Sequence, residues 1–156
     1  MRSNFSSPDV LIAGGGPAGA SLAILLGCLG FRVELYERSS FPREKPCGEG
    51  LMPAGVAVLE RMGLAEAVGG EAFFGIRYHA GGHTAEGRFP AKNGAPAAAG
   101  RAQRRFVLDR VLFETAASTP GVAAYTGARV EGSICEGGRV TGVRSEERRV
   151  GKECRL

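Results

Sequence analysis

Tryptophan is absent from this chain of 156 residues, and so is any apolar run approaching the ~20 residues that a membrane-crossing helix needs. Cysteine is sparse: Cys28, Cys47, Cys135 and Cys154 stand too far apart for a metal-ligand pattern or a disulfide framework. His79 and His83 bracket a glycine pair with no acidic partner at a ligand spacing, so they read as surface residues. Residues 1–8 are too short and polar for a secretory leader. There is no internal repeat. The basic residues behind the net charge of +4 are scattered, which argues against both a nucleic-acid partner and a membrane surface. What remains is the size of one ordinary globular domain, expected in a reduced, cytoplasmic setting.

One stretch is rich in information. Asp9 to Glu37 reads DVLIAGGGPAGASLAILLGCLGFRVELYE: a strand, a glycine turn, a helix, a second strand and an acid. Val10 to Ala13 suit a buried parallel strand. Gly14, Gly16 and Gly19 fill the places of G-x-G-x-x-G, giving a tight turn, room for a pyrophosphate and close packing of helix on strand. A helix over about Pro17 to Leu29 would aim its free N–H groups at the phosphates, and Gly30 ends it. Phe31 to Tyr36 form the second strand, and Glu37 stands 18 residues past Gly19, near the offset at which a carboxylate accepts from a ribose hydroxyl. Together these describe a dinucleotide-binding βαβ unit.

Further along, a loop over 38–53 precedes a helix from about Ala54 to Met62 and a helical turn over Leu64 to Val68. Phe73 to His79 and Thr84 to Phe89 flank Gly81–Gly82 as an antiparallel hairpin, and residues 91–100 form an Ala/Gly/Pro loop. Val107 to Ala117 has a helical period. Val122 to Tyr125, Arg129 to Cys135 and Arg139 to Val143 are short strands, the last two joined at Gly137–Gly138. Residues 144–156, RSEERRVGKECRL, have no periodicity and resemble a translated sequencing adapter, so the domain is placed at 1–143 and the rest is expected to be non-native. Without the five basic and three acidic residues of that tail, the formal charge of +4 falls to +2.

DVLIAGGGPAGASLA, ELYER, KPCGEGLMPAGVAVLERMGL and RRFVLDRVLFETAASTPGV together resemble the FAD-dependent oxidoreductases of the aromatic-ring hydroxylase and geranylgeranyl reductase type. The resemblance implies an α/β fold: a Rossmann-like FAD/NAD(P)-binding βαβ domain with an inserted antiparallel hairpin and a β-meander. It implies that Gly14, Gly16, Pro17, Ala18 and Gly19 hold the FAD pyrophosphate, that Glu37 holds the adenosine ribose and that Arg38 lies beside the adenosine. Cys47 and Gly48 would pass near the flavin ring, Arg105 would reach back to the cofactor with Arg104 as its rival, and the backbone at Val130 would meet the adenine. Glu49 is the one carboxylate of the PCGEG loop. NAD(P)H is the expected electron donor and an aromatic or isoprenoid small molecule the expected substrate. The family's later cofactor motifs are not found, so the chain reads as the N-terminal part of a longer enzyme. Two alternatives stay open: a nicotinamide dehydrogenase domain, and a fragment without cofactor affinity.

Overall fold

The computed structural model describes residues 8–91 and 98–145. In chain order its elements begin with β1 (Val10–Ala13), α1 (Pro17–Cys28), β2 (Val33–Tyr36), β3 (Gly50–Leu51), α2 (Pro53–Arg61) and α3 (Ala65–Val68). They continue with β4 (Glu71–Phe73), β5 (Gly75–Ala80), β6 (His83–Arg88), β7 (Gly100–Ala102), α4 (Arg105–Ser118), β8 (Val122–Tyr125), β9 (Val130–Glu136) and β10 (Arg139–Ser145). Two compact units divide the described residues, one made of 8–44 with 108–145 and the other of 45–91 with 98–107.

The first unit is built on a parallel sheet in the order β1-β2-β8, with Val10 opposite Val33 and Val33 opposite Val122. Side chains alternate between its faces. On one face α1 packs against β2, where Val33 and Leu35 are fully buried beside Ala20 and Ala23. Small residues at 20, 23 and 27 let the helix lie close: a methyl group at Gly27 would stand 2.7 Å from side-chain atoms of Thr119 and Val122. That choice of face leaves Cys28 exposed, although it sits on an apolar helix that suggested a buried thiol. The other face carries Tyr36, Ala123, Tyr125 and Ala128, against which Val130 of β9 and Val143 of β10 pack. Tyr36 and Tyr125 stack at 5.2 Å, and the Tyr36 hydroxyl donates to Glu34 Oε2 at 2.5 Å. The expected meander is represented by the antiparallel pair β9–β10. Its second strand runs through Arg144 and a buried Ser145, and the remainder of the suspected tail lies outside the described residues.

The second unit holds the hairpin β5–β6, paired from Gly75–Arg88 to Ala80–His83; it starts two residues after the expected Phe73, ends one before the expected Phe89, and reaches one residue further on each strand at the turn. Phe73 belongs instead to β4, which joins an antiparallel sheet in the order β3-β7-β4. Strands of two and three residues carry no period that a sequence can display. Gln103 ties this sheet to α3 by donating from Nε2 to the Val68 carbonyl at 2.6 Å, while its backbone N–H donates to the Glu49 carbonyl at 2.8 Å.

Candidate functional site

At the carboxyl ends of β1 and β2 the glycine turn meets Glu37. Gly14 adopts φ +107, a left-handed conformation that a side chain would strain. A methyl at Gly19 would lie 1.9 Å from the Gly14 carbonyl oxygen, so here α1 starts directly against the turn. Gly16 caps α1, Pro17 is its first residue and no acidic side chain lies in its first turn.

Glu37 is 4 % exposed and its carboxylate is held on both oxygens. Gly15 N–H donates to Oε2 and Ser39 N–H donates to Oε1, each at 2.9 Å. Burial raises the carboxyl pKa, but the Ser39 and Gly15 donors and the Arg43 guanidinium outweigh it and hold the group below its ordinary 4.5. Glu37 is also fixed through its backbone, donating to Tyr125 O and accepting from Ala128 N. An ionised acceptor is thus presented beside the N–H groups of a helix start, the arrangement that suits a ribose next to a pyrophosphate.

Beneath the turn lies support that the sequence reading did not assign. A methyl at Gly15 would come within 2.9 Å of both the Phe113 ring and Glu37 Cβ, so this middle glycine is required by packing. Phe113 stacks on Phe41 at 4.3 Å, and the Arg43 guanidinium lies over Phe41 at 5.2 Å. Arg43 Nη2 reaches both Glu37 Oε2, at 3.5 Å, and the fully buried Asp109, at 3.3 Å. Asp109 and Phe113 are one helical turn apart and share a face of α4. Asp109 is the acid of the R-x-x-L-D pattern, and Arg43 sits in an F-P-R run six residues after Glu37; those were the available signals.

The remaining expected residues fall in different places. Pro17 and Ala18 form the first turn of α1, and Arg38 is exposed immediately after Glu37. Val130 opens β9, half-buried against the Tyr36–Tyr125 cluster, two residues beyond the Ala128 N–H that binds the Glu37 carbonyl. In the second unit Cys47 and Gly48 are exposed, and Arg105 is brought to Cys47. The backbone N–H of Glu49 and the Arg105 guanidinium hold the Cys47 thiol below its ordinary 9.0, a shift with no sequence signal. Glu49 adopts φ 54, uncommon for a non-glycine residue. Arg104 lies over Phe106 at 5.9 Å. His79 and His83 are exposed on the hairpin, His79 Nδ1 lying 2.9 Å from Thr84 Oγ1.

A parallel sheet, a glycine turn at its carboxyl end and a buried acid at the neighbouring strand end define a Rossmann-like dinucleotide-binding protein. Residues 7–156 match the FAD binding domain family, and the chain belongs to it. It is 34% identical over 146 residues to a 6-methylpretetramide 4-monooxygenase of Streptomyces rimosus, covering 86% of this chain and 33% of that enzyme. Over 60 residues it is 43% identical to a menaquinone reductase of Mycobacterium tuberculosis, covering 38% of this chain and 15% of that protein. Pseudomonas aeruginosa PqsL, solved with 2-aminobenzoylacetate, superimposes with a TM-score of 0.75 at 26% identity, over 91% of this chain and 40% of that one. The chain therefore spans well under half the length of these relatives. Its cofactor is FAD, and the glycine turn and Glu37 fit the adenosine diphosphate half of that molecule. No helix among the described residues is long and apolar enough to cross a membrane.

Proposed function

We propose that this chain supplies the FAD-holding part of an oxidoreductase of the monooxygenase or prenyl-chain reductase type, with NAD(P)H as electron donor and an aromatic or isoprenoid small molecule as substrate. The observation that carries the reading is the buried, ionised Glu37 held beside Gly15 at the carboxyl end of the sheet. The α1 start, with Gly14, Gly16, Pro17, Ala18 and Gly19, orients the pyrophosphate through backbone N–H groups and the helix dipole. Glu37 accepts from the adenosine ribose, Arg38 flanks the adenosine and the Val130 backbone borders the adenine. Cys47, Gly48 and Arg105 complete the proposed cofactor contacts, the last as a planar donor for cofactor oxygens. The flavin, once bound, carries the electrons between donor and substrate, and the protein's share is binding, orientation and electrostatics. Free thiols at Cys28, Cys47 and Cys135 fit a reducing, cytoplasmic compartment. Residues 1–143 are proposed as the domain, with β10 running on through Arg144 and Ser145, and the rest of 144–156 as a non-native tail.

The test is an absorbance spectrum and FAD titration of the purified chain beside a Gly14→Ala/Gly16→Ala variant. Saturable binding by the parent, abolished in the variant, is expected. A folded parent that binds no FAD overturns the proposal.

A further inference from the structure

Arg43 is 14% exposed at its side chain and sits against two buried acids, Glu37 and Asp109. Its Nη2 serves both Glu37 Oε2 and Asp109 Oδ2, while its buried Nε has no hydrogen-bond partner. The guanidinium is thus placed for the two carboxylates at the expense of one of its own donors, since an unmatched buried N–H is costly. A carboxylate oxygen offers two lone-pair sites. On Glu37, Oε2 faces both Gly15 N–H and Arg43, whereas Oε1 receives Ser39 N–H. Arg43 thus engages the carboxylate through Oε2, while Ser39 bonds it through both its N–H and its side chain. We propose that Arg43 is a positioning residue which, with Asp109 as its counter-charge, engages Oε2 of Glu37 and so orients that carboxylate towards the ribose of the bound dinucleotide. Arg43 itself touches no cofactor atom in this arrangement. The inference rests on the reading of Glu37 as the ribose acceptor.

The experiment measures binding of ADP and of 2′,3′-dideoxy-ADP to the chain by calorimetry, because the ratio of the two affinities isolates the ribose hydroxyls. Wild type should prefer ADP on the order of ten-fold, the worth of a hydrogen bond to a charged acceptor. Arg43→Lys keeps the charge but removes the planar fork. Arg43→Met combined with Asp109→Leu leaves only Glu37 without the guanidinium, and Glu37 keeps its Gly15 and Ser39 donors, so a folded variant is retained even if the single change is not tolerated. In both, confirmed as folded by circular dichroism, the preference should fall towards unity while dideoxy-ADP affinity stays within about two-fold. If both affinities drop together and the ratio holds, Arg43 is structural support and the proposal is wrong. A wild-type chain that binds ADP with no preference overturns the Glu37 reading itself, and one that binds neither nucleotide overturns the cofactor site; each takes this proposal with it.

Discussion

The molecule contains two arrangements of the same charged groups, and they differ in what surrounds them. In the first unit one arginine, Arg43, stands between two carboxylates, with Arg43, Glu37 and Asp109 side chains 14%, 5% and 0% exposed. On the β5–β6 hairpin one carboxylate, Glu86, stands between two arginines, with Arg77, Arg88 and Glu86 61%, 78% and 37% exposed. The hairpin contacts are the shorter ones, 2.8 and 3.2 Å against 3.5 and 3.3 Å. Distance alone would rank the hairpin first. Burial reverses the order, because water screens an exposed pair and cannot rescue a buried charge whose partner is removed. The buried set is also the one that bears on Glu37, so here the costly electrostatics and the proposed function coincide.

The largest effect that would sharpen this contrast is Arg43→Met. It strands Glu37 and Asp109 and should destabilise the chain by about 3–5 kcal/mol in urea denaturation, whereas a loss under ~1 kcal/mol would erase the distinction. Next comes steric burial. Gly19→Ala pushes a methyl against the Gly14 carbonyl and should cost about 3 kcal/mol, while Gly87→Ala on the hairpin, with nothing within 4 Å, should be neutral or slightly stabilising in the same assay. Arg77→Met and Arg88→Met should each cost less than ~1 kcal/mol, and less still at high salt. The smallest effect concerns Asp9, which binds Arg32 through its backbone and guanidinium and has its pKa lowered from 3.8 to about 2. A depressed carboxyl stabilises the fold above its unfolded pKa. That contribution should fade as pH falls from 3.8 towards about 2, and Asp9→Asn should flatten this part of a melting-temperature profile.

Legibility in the sequence follows the same divide. The βαβ unit was readable because each of its constraints is local: β1 falls on Val10–Ala13 as expected, α1 begins at Pro17, and Gly14 and Gly19 serve the turn and the close helix approach. The hairpin was readable because Gly81–Gly82 supplies two positive φ values between alternating strands. The sheet β3-β7-β4 was not, since its strands are too short to show a period. Nor was the underside of the site. Arg43, Asp109 and Phe113 come from distant segments, and their meeting with Glu37 and Gly15 is a property of the packed chain rather than of any spacing. Cys28 failed for a related reason: an apolar helix does not announce which face it buries, and the small residues chose it.

The central claim is that the buried acid of the first unit, and not the exposed one of the second, serves FAD. FAD titrations of the wild-type chain, Glu37→Gln and Glu86→Gln, followed by flavin fluorescence, test it most directly. The account predicts saturable binding by the wild type, weakened about ten-fold or more in Glu37→Gln and unchanged in Glu86→Gln. Equal affinity in all three proteins would contradict it.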